Sequence, residues 1–179
     1  MNVVLIGYRG AGKSEVARAL ADRLGWQWFD SDDEVERRAG RSIATIFAEQ
    51  GEGAFRDLES QAVLDLTQRD RAVLSLGGGA VLRIESREAI KRQSRIVWLT
   101  ASGETLWRRI NADEATAARR PKLTSSGGIT EIVATLEARE PIYRACADFE
   151  VDTEHRTPAE VADAIVAKLD LGPSSEKPA

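Results

Sequence analysis

The sequence predicts an α/β fold in which a parallel sheet is covered by helices on both faces. Two observations carry this. Short apolar runs alternate with stretches of helical periodicity along most of the chain. The first run, Val3-Val4-Leu5-Ile6, is apolar without interruption, as expected of a strand buried on both sides of a parallel sheet. Lys13–Leu24 then sets Val16, Ala17, Leu20 and Leu24 on one helical face, and Gly25 stops it. Trp26–Phe29 reads as the second strand and brings Asp30 to its C-terminal end. Asp33–Ala39, Ser42–Gln50 and Glu52–Gln68 make a largely helical stretch punctuated by Gly40 and Gly51. Ala72–Leu76 is the third strand and runs into Gly77-Gly78-Gly79. Glu85–Gln93 is helical, Arg95–Thr100 is the fourth strand, and Glu104–Ile110 is helical again. Ile129–Ala145 is a long helix, Phe149–Asp152 a fifth short strand, and Pro158–Leu169 a closing helix. Neither an internal repeat nor a dividing linker interrupts this order. Residues 1–170 therefore form one domain with a five-stranded parallel sheet, and 171–179, rich in Pro, Gly and Ser, a flexible tail.

Composition narrows the range of partners. The chain has 179 residues, 42% of them hydrophobic and 30% charged, ordinary values for a globular domain. Its formal net charge of −4 gives no overall attraction to nucleic acid or to a membrane surface, so a positive site has to be a local cluster of arginines. Cys146 is the only cysteine and His155 the only histidine, which excludes an internal disulfide and a His-pair metal motif. Cys146, in Arg144-Ala145-Cys146-Ala147, reads as a small packed residue rather than a reactive thiol. No segment approaches the ~18 apolar residues of a membrane-spanning helix. The first strand is too short to serve as a signal peptide. A cytoplasmic monomer acting on small molecules is the expectation.

The stretch GYRGAGKS, Gly7 to Ser14, fits G-x-x-x-x-G-K-[ST] at every fixed position, with a strand before it and a helix after it. Glycines let successive backbone N–H groups converge on phosphate oxygens, and the helix start adds its unpaired N–H groups and positive dipole end. Lys13 would reach the β- and γ-phosphates, and the Ser14 hydroxyl would ligate Mg²⁺. Asn111–Gly128 does not fit the alternation. It is polar, carries Arg119, Arg120 and Lys122, and reads as a mobile lid, since long loops in compact domains commonly serve binding. Forked arginine donors suit phosphoryl charge there.

The acceptor is signalled by acidic and basic residues. FDSDDEVE puts Asp30 and Asp32 at the end of the second strand, where open α/β folds hold their ligands. Asp30 can reach the metal or its waters, and Asp32 can accept hydrogen bonds from a hydroxylated acceptor. Asp30 or Ser31 can also cap the next helix. In GEGAFRDLE, Arg56 and Glu59 stand at an i,i+3 spacing, which by itself reads as a surface ion pair. Three consecutive glycines after the third strand suit close approach of backbone to a ligand. AREPIYR adds Arg139 and Tyr143 one helical turn apart.

Taken together, GYRGAGKS, FDSD, GEGAFRDLE, GGG, RRPKL, REPIY and DFEVDT resemble the shikimate kinases over about Val3 to Leu169. The resemblance implies a three-layer P-loop kinase architecture, with a substrate-binding helical segment at 32–60 and a lid at 111–128. It implies ATP-dependent phosphorylation of the shikimate 3-hydroxyl, within aromatic amino-acid biosynthesis, with Mg²⁺ as cofactor. Gly10, Ala11, Gly12, Lys13, Ser14 and Glu15 would hold the ATP phosphates. Ser14 and Asp30 would hold the metal, and Asp30 is also the candidate base. Asp32 would bind two ring hydroxyls, Arg56 and Arg139 the carboxylate, and Gly78 would add a backbone contact. Arg120 would enter from the lid as a catalytic cation, and Arg156 would lie near the adenine. Glu15 departs from the family pattern, which more often has a small hydroxyl residue there. Its carboxylate has to point away from the phosphates. A kinase for gluconate or another polyhydroxy acid, a nucleoside monophosphate kinase and a catalytically silent ATP-binding module are the alternatives.

Overall fold

A computed structural model describes residues 1–112 and 128–169. Most of the expected lid, including Arg119, Arg120 and Lys122, and the tail at 171–179 lie outside the described residues. The strands are β1 (Asn2–Ile6), β2 (Gln27–Asp30), β3 (Ala72–Ser75), β4 (Ser94–Thr100) and β5 (Phe149–Asp152). They form one five-stranded sheet in the order β2-β3-β1-β4-β5, and every neighbouring pair is parallel. The helices are α1 (Lys13–Leu24), α2 (Ser31–Ala39), α3 (Ile43–Leu66), α4 (Ile84–Gln93), α5 (Gly103–Ala112), α6 (Ile129–Cys146) and α7 (Pro158–Leu169).

Alternation along β1 explains the layers, since successive side chains of a strand point to opposite faces. Val3 and Leu5 join α1 and α7 in one apolar cluster, through Val16, Leu20, Val161 and Ile165. Val4 and Ile6 join α3, α4 and α6 in the other, through Val63, Ile90 and Tyr143. The four side chains from Val3 to Ile6 are at most 1% exposed, which is why that run carries no polar residue. Cys146 packs into the second cluster, as expected, and burial pushes its thiol pKa up.

A third, smaller cluster of Val35, Ile43, Ile46, Phe55 and Ala62 joins α2 to α3. It holds the helical segment beyond β2 as a unit of its own. The two helices expected at Ser42–Gln50 and Glu52–Gln68 follow one another as the two halves of α3 and meet at a kink at Gly51, whose φ of +80° and ψ of 178° lie outside the helical region, as the punctuating glycine implied. The second half ends at Leu66 rather than Gln68. Two other differences concern boundaries: α2 starts at Ser31 rather than Asp33, and a short 3₁₀ turn at Ala80–Leu82 follows the glycines. Asp30 caps α2 by accepting from the Asp32 amide, so the N-terminus moves up to the capping carboxylate.

Glu34 secures this unit. Its carboxylate accepts from Arg37 at 2.7 and 2.8 Å and from Arg38 at 2.6 Å, and Arg38 also reaches Asp65 of α3 at 2.5 Å. The hydrogen bond from Arg37, seconded by Arg38, holds the Glu34 pKa down at about 2. A carboxylate whose pKa is lowered by folding adds stability above its unfolded value, and loses it as pH falls toward the folded one. The stability difference between wild type and Glu34→Gln should therefore be full above about pH 5 and vanish as pH approaches 2, measured by urea unfolding across that range. A difference that stays constant with pH would show that Glu34 acts through packing alone. Among the described residues, no helix is long and apolar enough to cross a membrane.

Candidate active site

The phosphate loop leaves β1 at Gly7 and enters α1 at Lys13. Gly7 has φ +140°, and a Cβ on it would meet the Leu99 carbonyl oxygen at 2.5 Å. Only glycine lets the loop press this closely on β4. Gly12 caps α1 with no side-chain hydrogen bond, so no side chain competes for the first-turn N–H groups. Lys13 is 8% exposed, and its Nζ donates to the Gly7 and Tyr8 carbonyls at 2.9 Å each. The ammonium is thus held over the hollow of its own loop. Glu15 is exposed at the rim, which suits the outward direction expected of its carboxylate.

Asp30 faces this loop from the end of β2. Its Oδ2 accepts from Ser14 Oγ at 2.7 Å and from Ser75 Oγ at 2.9 Å, while Oδ1 accepts the Asp32 amide at 2.8 Å. Metal ligation and helix capping, the two alternatives for Asp30, are therefore compatible: one oxygen caps, and the other meets the two hydroxyls. Ser75 is a residue that motif reading missed. It pairs in register with Asp30 across β2 and β3, so strand alignment was the signal that could have found it. A carboxylate beside a serine hydroxyl suits Mg²⁺, which binds one or two protein oxygens and completes its shell from phosphates and water.

The three glycines form a hub that joins α2, α3 and α6. The Gly77 amide donates to Ser31 Oγ at 2.8 Å and ties the loop to α2. The Gly78 carbonyl accepts from Tyr143 Oη at 2.5 Å and from Arg139 Nη1 at 3.3 Å, both on α6. Tyr143 is fixed in turn by stacking on Trp98, with ring centroids 5.9 Å apart. Gly79 lies against Arg56, whose Nη1 is 2.2 Å from the place a Cβ would take.

The structure corrects the local reading of Arg56. It does not form a surface pair: Arg56 is 7% exposed, Glu59 is 1% exposed, and Nη1 meets Glu59 Oε2 at 2.6 Å. Glu52 holds the other edge, 3.0 Å from Nη2. A guanidinium pinned by two carboxylates on its own helix presents its remaining fork toward the glycine loop with little freedom.

One cavity of about 440 Å³ gathers most of the expected residues. Gly10 to Glu15, Asp30, Asp32, Gly78 and Arg156 all line it. Arg56 and Arg139 do not line it directly but meet Gly78 and Gly79 at its edge. Arg120 lies outside the described residues. Three further residues escaped motif reading. Arg109 donates to Thr153 Oγ1 at 2.9 Å, to the Thr153 carbonyl at 2.8 Å and to the Gly10 carbonyl at 3.4 Å, bolting the phosphate loop to the end of β5. Nothing in LWRRINA marks Arg109 out from the neighbouring Arg108. Beside Arg156, Pro158 and Val161 give the far end of the cavity an apolar wall.

This geometry meets a clear set of relatives. A family model described as shikimate kinase matches residues 9–170. The chain belongs to the shikimate kinase family. It is 41% identical to a shikimate kinase of Burkholderia lata over 177 residues, covering 99% of this chain and 94% of the relative. It is also 41% identical to a shikimate kinase of Rhodopirellula baltica, covering 97% and 91%. Among solved structures, the shikimate kinase of Acinetobacter baumannii in complex with shikimate superposes with a TM-score of 0.88 at 33% identity, covering 94% of this chain and 92% of that one. Membership of the shikimate kinase family accords with the sheet order, the phosphate loop and the helical segment as described. In this member of the shikimate kinase family, the glycine loop after β3 is where the phosphate-loop cavity meets Arg56 and Arg139.

Proposed function

We propose that this chain transfers the γ-phosphoryl group of ATP to the 3-hydroxyl of shikimate, giving shikimate 3-phosphate and ADP. The observation that carries this reading is the convergence of Asp32, Gly78, Arg56 and Arg139 beside the phosphate-loop cavity. A polyhydroxy carboxylate needs an acceptor for its hydroxyl protons and forked cations for its carboxylate. A neutral sugar would leave both arginines unanswered, and unpaired buried polar groups penalise such analogues strongly.

Each residue then has a physical task. The loop amides from Gly10 to Glu15 receive phosphate oxygens, and Lys13 trades its two loop carbonyls for phosphate charge. Asp32 orients the acceptor hydroxyls. Asp30 takes the hydroxyl proton, which it can accept at the oxygen that now faces Ser14 and Ser75. Arg156, Pro158 and Val161 border the adenine end. Arg120, from the lid, adds a cation to the phosphoryl group. Ser14 and Asp30 would hold Mg²⁺, which supplies charge neutralisation on the phosphates when bound. The remaining work is alignment, which can supply much of the barrier lowering in a transfer between bound partners.

A coupled ADP-release assay tests the reaction and the metal together. Turnover should be fastest with shikimate and at background with gluconate or nucleoside monophosphates, should vanish with EDTA and should return with excess Mg²⁺. Faster turnover on gluconate would overturn the acceptor, ADP release without any acceptor would point to an ATPase, and full activity in EDTA would sink the pairing of Ser14 with Asp30.

A further inference from the structure

Arg9 occupies a variable position of the phosphate-loop motif, and none of the tasks above uses it. Its surroundings set it apart from Arg56, Arg109 and Arg139. Arg56 is held by Glu52 and Glu59, Arg109 by Thr153 and Gly10, and Arg139 by the Gly78 carbonyl. Arg9 Nε is buried and has no hydrogen-bond partner, and among the described residues no carboxylate pairs with its guanidinium. A cation partly withdrawn from water with no counter-ion carries a desolvation cost, which an incoming anion offsets.

Placement narrows which anion. The Arg9 backbone nitrogen is 3.3 Å from the place a Cβ on Gly78 would take, so the loop touches the acceptor hub at this residue. Arg9 lines the same cavity as Lys13, Asp32 and Gly78. It immediately precedes Gly10, where the phosphate cradle begins. Its side chain therefore belongs to the seam between donor and acceptor, next to Tyr8, over whose ring the Arg139 guanidinium lies at 5.8 Å, whereas Arg56 stands against Gly79.

We propose that Arg9 is a further catalytic cation that contacts the phosphoryl group in transit. In the transfer, the bond from the γ-phosphorus to the bridging oxygen breaks and its electron pair stays with ADP. The acceptor oxygen forms the new bond to phosphorus, and its proton passes to Asp30. Charge spreads over three equatorial oxygens as this happens, and a guanidinium at the seam meets them with forked donors. The proposal rests on the phosphoryl-transfer reading above.

The test compares wild type with Arg9→Met, Arg9→Gln and Arg9→Lys. For Arg9→Met and Arg9→Gln, kcat should fall about 100- to 1,000-fold, the scale of one removed charge-stabilising donor. KM for shikimate and for ATP should stay within about threefold, because the contact tightens only in the transition state. Arg9→Lys should recover part of the rate. Trapping with ADP, aluminium fluoride and shikimate should weaken by the same factor as kcat, while the affinity for ADP alone stays unchanged. A misfolded variant would instead lose ADP binding in step with rate. The proposal is overturned if Arg9→Met keeps kcat within twofold of wild type, or if its loss lies wholly in KM for shikimate with trapping unaltered. An inactive wild type overturns both the reaction and Arg9, whereas an active wild type with an unimpaired Arg9→Met overturns Arg9 alone.

Discussion

Lys13→Ala should lose more than nine-tenths of wild-type turnover in the ADP-release assay. Removing one cation from the β/γ-phosphates needs to raise the barrier by only ~1.4 kcal/mol for a tenfold loss. The structure adds a second consequence of the same substitution. Lys13 Nζ satisfies the carbonyls of Gly7 and Tyr8, so alanine leaves two loop acceptors without that donor. Each lost hydrogen bond is worth about 1 kcal/mol, and the midpoint of thermal unfolding should drop by a few degrees while the transition stays cooperative. Shikimate affinity should be unchanged, since Lys13 stands on the nucleotide side of the glycine loop. Retention of more than about a tenth of the activity would contradict the role given to Lys13.

Arg139→Ala should weaken shikimate binding by about 2–4 kcal/mol, the common range for truncating one partner of a buried charge pair. ADP affinity should change little. Arg139 is the cleaner of the two carboxylate arginines to test, because in the described structure its hydrogen bond is to a backbone carbonyl and it forms no buried ion pair. Arg56 is different. Removing it strips the buried Glu59 of its 2.6 Å partner, so Arg56→Ala would mix lost affinity with lost stability. Arg56→Lys separates these: the charge beside Glu59 is kept, but an ammonium cannot reproduce the planar fork, and shikimate affinity should still fall. Calorimetric titration of both variants with shikimate and with ADP reads the outcome. Unchanged shikimate affinity in both would leave the phosphate loop standing and remove the acceptor assignment.

Local patterns made most of the fold legible. The unbroken apolar runs located the strands, and the glycines at 25 and 40 marked helix ends. Gly51 marks a true break in the helical backbone, and what spacing could not show is that the cluster holding Ile46 and Phe55 packs the two halves together. Within the site, residues that belong to a contiguous motif were legible, since the loop from Gly7 to Ser14 makes its own geometry. Residues whose role depends on a distant neighbour were not. Arg56 and Glu59 show the same spacing whether the helix face is wet or dry, and only the packing of α3 against the glycine loop makes the pair a buried one. Ser75 is a small polar residue ending an apolar strand, and its meaning comes from the register that sets it opposite Asp30. Arg109 acts through residues far along the chain, for which spacing holds no sign.

The contact between Gly79 and Arg56 restricts how this site can change over time. A methyl group at position 79 would overlap a guanidinium that Glu59 and Glu52 prevent from swinging aside. The cost of a side chain at 79 thus depends on what occupies 56, and a smaller residue at 56 opens space that a glycine at 79 leaves unfilled. The two positions are epistatic: a side chain at 79 clashes only while arginine stands at 56, and a change at 56 takes away the 2.6 Å partner of the buried Glu59. A lineage or an engineer seeking a different acceptor through this loop therefore meets an ordered path, in which position 56 changes before position 79 can take a side chain.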